Sequence, residues 1–222
     1  MTTRCRGDAR ALASELGATL TERTPGSPLT QVPAAGNGAI QPLRRLVVME
    51  YQTHAAELQA YGTLLARFPH RPAAELWLTL GRIVDDATPK LRRVADALGM
   101  DATDLMRRQT DPYAYSFNSA MSRAVASGSQ TVAALAAHTD MRVYYAGATA
   151  VARRLREARA PVPAEFLDYY DDPGDDALNE LALDVAQDGL DRGDDPQEAS
   201  FHMHRIAAAI LEVWRIAAAE AA

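Results

Sequence analysis

The sequence predicts an all-α protein, a bundle of about seven helices carried mainly by residues 42–222. Three observations predict it. From Pro42 onward apolar residues recur with the 3.6-residue period of amphipathic helices. Glycine and proline fall where such helices must begin and end. No alternating run of β-branched residues competes for a sheet, and no internal repeat is present.

Taken in order, residues 8–22 read as a short helix, with Leu12, Leu16 and Leu20 at i, i+4 and i+8. The stretch TPGSPLTQVPAAGNGAIQP (24–42) is a connector, long for a compact domain, that wraps the surface or helps line a site. Residues 1–41 are therefore set apart, as a short helix with its connector, from a bundle domain at 42–222. Pro42 suits a first helical turn, and Leu46, Met49, Leu58 and Leu65 draw an apolar stripe running to Phe68. The next helix opens near Arg71-Pro72 and ends at Gly99, with a kink expected at Pro89. Further helices are predicted at about 113–127, 130–159, 163–171, 174–192 and 196–221.

Bulk properties bound the function. Hydrophobic residues are 48% and charged ones 23% of 222, enough for a sizeable core. Net charge is −6, with cations no more clustered than the pairs Arg44–Arg45, Arg92–Arg93, Arg107–Arg108 and Arg153–Arg154, which argues against a nucleic-acid partner. The single cysteine, Cys5, lies in a segment that reads as frayed and supports neither a disulfide nor a thiolate metal site. The N-terminus lacks the apolar core of a secretory signal, and no run is long enough to span a membrane. The expectation is a cytoplasmic protein with no membrane partner. Lys90 is the only lysine among 23 basic residues, which with the abundance of alanine points to a GC-rich bacterial genome.

The chemistry-bearing residues sit inside apolar helices. AAHTDMRVYY (136–145) places His138, Asp140, Arg142, Tyr144 and Tyr145 within an Ala-rich helix, with Asp140 and Tyr144 one turn apart. Glu50 follows Val47, Val48 and Met49, and His54 lies one turn beyond it, as its partner or as a core histidine. Glu212 either pairs with Arg215 at the surface or is buried with Ile206, Ile210 and Trp214; the apolar neighbours favour burial. Asp85 and Asp86 form a charge ladder with Lys90 and Arg93. His202 and His204, two residues apart, face different sides of their helix and make a poor metal pair. YYDDPGDD (169–176) reads first as a turn feeding acid into a helix N-terminus and second as pocket lining.

This order of helices, with these residues on them, resembles the TenA/PqqC group of the heme-oxygenase-like superfamily over about residues 40–220. MEYQTH supplies an acid followed by an aromatic, Glu50 and Tyr51; AYSFNSAMSRAVASG is similar to the family's turn ending in glycine; and LEVWRIA, with Glu212 and Trp214, is similar to its final motif. Twelve residues after Gly128 the thiaminase-type members carry a nucleophilic cysteine and, four later, a tyrosine; here these are Asp140 and Tyr144. The resemblance implies a heme-oxygenase-like bundle in which Glu50, Tyr115, Asp140, Tyr144 and Glu212 converge on one cavity, with Asp86 near a further family acid. Aspartate for cysteine argues against thiamin hydrolysis, which needs a thiolate. The superfamily's di-iron oxidases use Glu-x6-His and His-x3-Asp-x2-His; here Glu50 is followed by Glu57, and Asp171, Asp175 and Leu178 occupy the second pattern, so every expected histidine is absent. The pocket of the cofactorless oxidase PqqC is rich in His and Arg, unlike these acids.

The expectation is thus an enzyme using no metal or other cofactor. Glu50, Asp140 and Glu212 would carry acid–base chemistry; Tyr51, His54, Asp86, Tyr115, Tyr144 and Trp214 would bind a small amine-containing substrate. Clustered carboxylates favour a cation, and at least one of them should titrate near neutrality. Some antibiotic-pathway members of the superfamily resemble cyclases that form strained nitrogen rings, as in aziridine formation for azinomycin-type compounds, which makes bacterial secondary metabolism the expected setting. The alternatives are a di-iron oxidase with atypical ligands and a non-catalytic binding or partner subunit. A homo-oligomer or a pairing with a homologous subunit is also expected.

Overall fold

The computed structural model describes residues 7–23, 28–31 and 40–219, the side chains of 20–23 excepted. Cys5, the Leu20 side chain and most of the 24–42 connector lie outside the described residues. Among them there is no strand, and nine α-helices follow one another: α1 (Ala9–Arg23), α2 (Ile40–Arg67), α3 (Ala73–Ala97), α4 (Ala102–Met106), α5 (Ser116–Ala126), α6 (Gln130–Glu157), α7 (Ala164–Tyr170), α8 (Asp176–Arg192) and α9 (Pro196–Ala218). The all-α prediction holds. The helix the sequence did not announce is α4, a single turn held by a capping box in which Asp101 accepts from the Asp104 N–H and Asp104 accepts in return.

The caps explain the remaining boundaries. Ser129 accepts from the Val132 N–H to open α6, Asp175 accepts from Ala177 and Leu178 to open α8, and Asp195 caps α9 with Pro196 in the first turn. The predicted stop after α3 is realised at Gly99, whose φ of 72° no β-carbon tolerates cheaply. Pro89 sits inside α3, which continues past it to Ala97.

α6 is the central helix. Every residue from Gln130 to Thr139 is buried, the signature of a helix enclosed all round rather than on one face. Its polar side chains are satisfied locally: Gln130 donates to the Val185 carbonyl and Thr131 to the Ala186 carbonyl. α8 and α9 pack along α6, while α2 pairs with α3 and closes the bundle through α5 and α9. The α6–α9 seam depends on Gly147, where a β-carbon would collide with the Trp214 ring. α1 lies against α8 and α9, with Ala9 fully buried and its N–H donating to Gln187. No described helix is long and apolar enough to cross a membrane.

Candidate active site

A cavity of about 600 Å³ opens between α2, α3, α6, α7 and the turn that follows α7. One stripe of α2 faces it: Glu50, His54, Glu57 and Tyr61, spaced four, three and four residues apart and all buried. α6 contributes Asp140, Tyr144 and Tyr145, and α7 ends in Tyr169 and Tyr170. Leu80, Ile83, Val84, Phe117, Ile210 and Val213 form the apolar wall, and Asp86 and Lys90 stand exposed at the rim.

Glu50 is the centre of the polar network. Its Oε1 accepts from the Tyr144 hydroxyl at 2.6 Å and the Tyr169 hydroxyl at 2.8 Å, and its Oε2 accepts from Tyr170 at 2.6 Å. Three phenols converging on one carboxylate match an acceptor-only group, and they fix its plane from two separate helices. Burial and the Glu50 charge push all three phenols upward in pKa, so they remain donors. His54 Nε2 lies 3.9 Å from Glu50 Oε1, while its Nδ1 is 2.9 Å from the Thr88 hydroxyl. Burial lowers the His54 pKa, partly opposed by the Glu50 charge, which favours a neutral ring.

The other two acids behave differently. Glu57 is raised well above the usual carboxylate range, by burial first and then by the charges of Asp140 and Glu50, so it is held protonated; the Tyr61 hydroxyl, 3.3 Å away, opposes this only weakly. Asp140 is raised from 3.8 to about 7 by burial and by Glu50. It is half-buried against the cavity and has no hydrogen-bond or ion-pair partner among the described residues. Arg142, two residues on, turns away to Asp176 at 3.6 Å. The three carboxylates are therefore an anchored acceptor, a neutral acid and a group poised at neutral pH.

Several expected site residues lie elsewhere. Glu212 is not in the cavity: both its oxygens accept from Arg215, at 2.8 and 2.6 Å, and that pairing lowers its pKa. Trp214 is buried, but in the α6–α9 seam over Gly147. Tyr51 accepts from Arg92 and lies beneath its guanidinium, and Tyr115 accepts from the Gln109 N–H; neither lines the cavity. Glu50, His54, Asp86, Asp140 and Tyr144 do. What sequence reading missed is Glu57, weighed only as a missing metal ligand, together with Tyr61, Tyr169 and Tyr170. The α2 stripe was a readable signal for the first two. YYDDPGDD, read first as a turn and second as pocket lining, forms a wall of the cavity.

The donor set does not fit a di-iron centre. The positions that would need imidazole carry Glu57, Asp171 and Leu178; Asp171 is ion-paired with Arg156, Asp175 caps α8, and three phenols already occupy Glu50. Among the described residues no three His, Cys, Asp or Glu side chains are grouped to hold a metal ion.

No family model matches the chain, and no curated protein does. Among solved structures, an X-ray structure of a TenA homologue from Pyrococcus furiosus superposes with a TM-score of 0.70 at 16% identity, covering 94% of this chain and 98% of that one. At that identity the likeness concerns the fold: this chain has a TenA-like, heme-oxygenase-like helical architecture.

Proposed function

We propose that the protein is an enzyme that performs metal-free acid–base chemistry on a small amine-bearing substrate in the α2–α3–α6–α7 cavity. One observation carries the reading: of three neighbouring carboxyl groups, one accepts from three phenols, one is neutral, and one, half-buried, stands without a partner among the described residues near pKa 7. Glu50 supplies fixed negative charge for a cationic nitrogen. Asp140, present in both protonation states at neutral pH, takes the proton that the nitrogen must lose. Protonated Glu57 is a donor for a departing group. The apolar wall lowers the local polarity, which strengthens each of these interactions.

The reaction class that uses all three is displacement or elimination at a carbon next to the nitrogen. Closure of a three-membered nitrogen ring, of the kind that serves bacterial secondary metabolism, is the instance we favour. The amine loses its proton, its electron pair attacks the neighbouring carbon, and the leaving group departs with assistance from Glu57. Holding the chain in a near-attack conformation is the larger part of such catalysis, worth roughly 7–11 kcal/mol in well-oriented systems.

The test uses a simple probe. Chloride release from 1-phenyl-2-chloroethylamine is followed at pH 7, with and without protein, alongside elemental analysis of the purified chain. The expected result is protein-dependent acceleration, unaffected by chelators, that falls at least 100-fold in Asp140→Asn and Glu50→Gln. Acceleration that survives both substitutions, or iron or manganese retained at stoichiometry and needed for turnover, would refute the reading.

A further inference from the structure

The hydrogen positions around His54 are determined by its neighbour. Thr88 has a single hydroxyl hydrogen and donates it to the Val84 carbonyl at 2.8 Å. Its oxygen is therefore left to accept, and the 2.9 Å contact with His54 must carry its hydrogen on Nδ1. A neutral His54 in this tautomer presents a bare Nε2 lone pair to the cavity. That lone pair is 3.9 Å from Glu50 Oε1, an oxygen that already accepts from two phenols and cannot donate. No described group donates to Nε2. Two acceptors thus face one gap without a hydrogen between them, an arrangement that repels until a donor with two N–H or O–H bonds enters.

We propose that the gap between His54 Nε2 and Glu50 is a seat for a primary ammonium group, which donates one N–H to each, so that the pocket selects primary amines over tertiary and quaternary ones. The proposal rests on the amine reading above and adds a second acceptor and a substrate class to it. A nitrogen about 2.9 Å from each acceptor fits their separation, with both hydrogen bonds bent inward. The charge matches Glu50. A quaternary ammonium has no N–H for His54, and a tertiary one has a single N–H for two acceptors. The rest of the ligand follows from the wall: Leu80, Ile83, Val84, Phe117 and Ile210 suit an apolar or aromatic body on a short arm.

The full chain with 15N-labelled histidine tests this in two steps. Long-range 1H–15N spectra identify the His54 resonances by their loss in His54→Gln; the expected pattern is a protonated Nδ1 and a bare Nε2, with Thr88→Val losing that preference. Titration then compares benzylamine with benzyltrimethylammonium. Benzylamine is expected to shift the Nε2 resonance and to bind at least tenfold more tightly than the quaternary ion, an advantage lost in His54→Phe and kept in part by His54→Gln, which retains an acceptor. A hydrogen on Nε2 in the free protein, or equal binding of the two ions, overturns the seat while leaving Glu50-dependent amine binding intact. Benzylamine binding that is absent, or unchanged in Glu50→Gln, overturns both the seat and the amine reading.

Discussion

Removing the charge from Asp140 should stabilise the fold in a pH-dependent way, and the size of the effect can be worked from the site. Asp140 titrates near 7 in the folded chain, against an ordinary 3.8, a gap of roughly three pH units. At 1.36 kcal/mol per unit this is about 4 kcal/mol of preference for the neutral form. Because Asp140 is only half-buried, screening reduces the figure, and about 2–4 kcal/mol is the range to test. Between pH 3.8 and 7 the native chain holds a proton that the unfolded chain has released, so stability falls as pH rises through this window and levels off above it. Asp140→Asn keeps the shape and cannot ionise. Denaturant unfolding of both proteins from pH 4 to 9 should give nearly equal stabilities at pH 4. The Asn variant should be ahead by about 2–4 kcal/mol at pH 8, a gain of very roughly 10 °C in Tm for a chain of this size. A difference that does not change with pH, or an Asn variant less stable at pH 8, would refute the claim that this carboxylate is forced to ionise in a hostile environment.

Two further substitutions probe the frame around the site. Gly147→Ala drives a methyl into the Trp214 ring and forces α6 away from α9, so unfolding should become easier by about 1–3 kcal/mol in a denaturant titration, with Trp214 fluorescence altered in the native state. Glu212→Ala removes only a local, partly exposed pairing with Arg215; stability should change by no more than about 1 kcal/mol and chloride release from the probe amine should match the parent chain. A large loss of turnover there would place Glu212 in the chemistry after all.

The helical frame was legible because its signals are local. A period of 3.6, proline near a start and glycine at a stop act within one or two turns, and they recovered eight of the helices to within a few residues. The single turn of α4 is too short for a period, and its capping box, Asp101 to Asp104, is the only local trace it leaves. The site was legible where a family pattern and an apolar setting coincided, as at Glu50 and Asp140. It failed at Glu212 for a geometric reason. Ile206, Ile210 and Trp214 share one face at four-residue steps, whereas Glu212 sits about 160–200° round the helix from the last two and so points away from the face they bury. Apolar neighbours in sequence are not neighbours on a helix. Tyr169 and Tyr170 failed for another reason: they act on a residue 119 and 120 positions away, and a seven-residue helix carries no period that would reveal which of its faces looks inward.

The distribution of charge in the cavity explains why the acid at position 140 is useful rather than merely costly. Glu50 is engaged as the acceptor of three hydrogen bonds, and Glu57 is too deeply buried to ionise beside two other acids. Asp140 alone has no partner that fixes its protonation. Burial first, and then the nearby Glu50 charge, keep Asp140 close to half-protonated at neutral pH. On the proposed reading, a cation seated against Glu50 offsets that repulsion and moves Asp140 part of the way towards its ordinary range, so that the ammonium would favour the ionised base beside it. The same linkage runs in reverse. Once a proton had passed from nitrogen to Asp140, the cation would be gone, the repulsion would return, and Asp140 would hold its proton more tightly than it did beside the cation. A cysteine at this position would instead need a stabilised thiolate, which burial and the neighbouring Glu50 carboxylate oppose. The aspartate, the phenol-locked Glu50 and the neutral Glu57 are therefore one solution to one electrostatic problem, and each makes chemical sense only with the other two present.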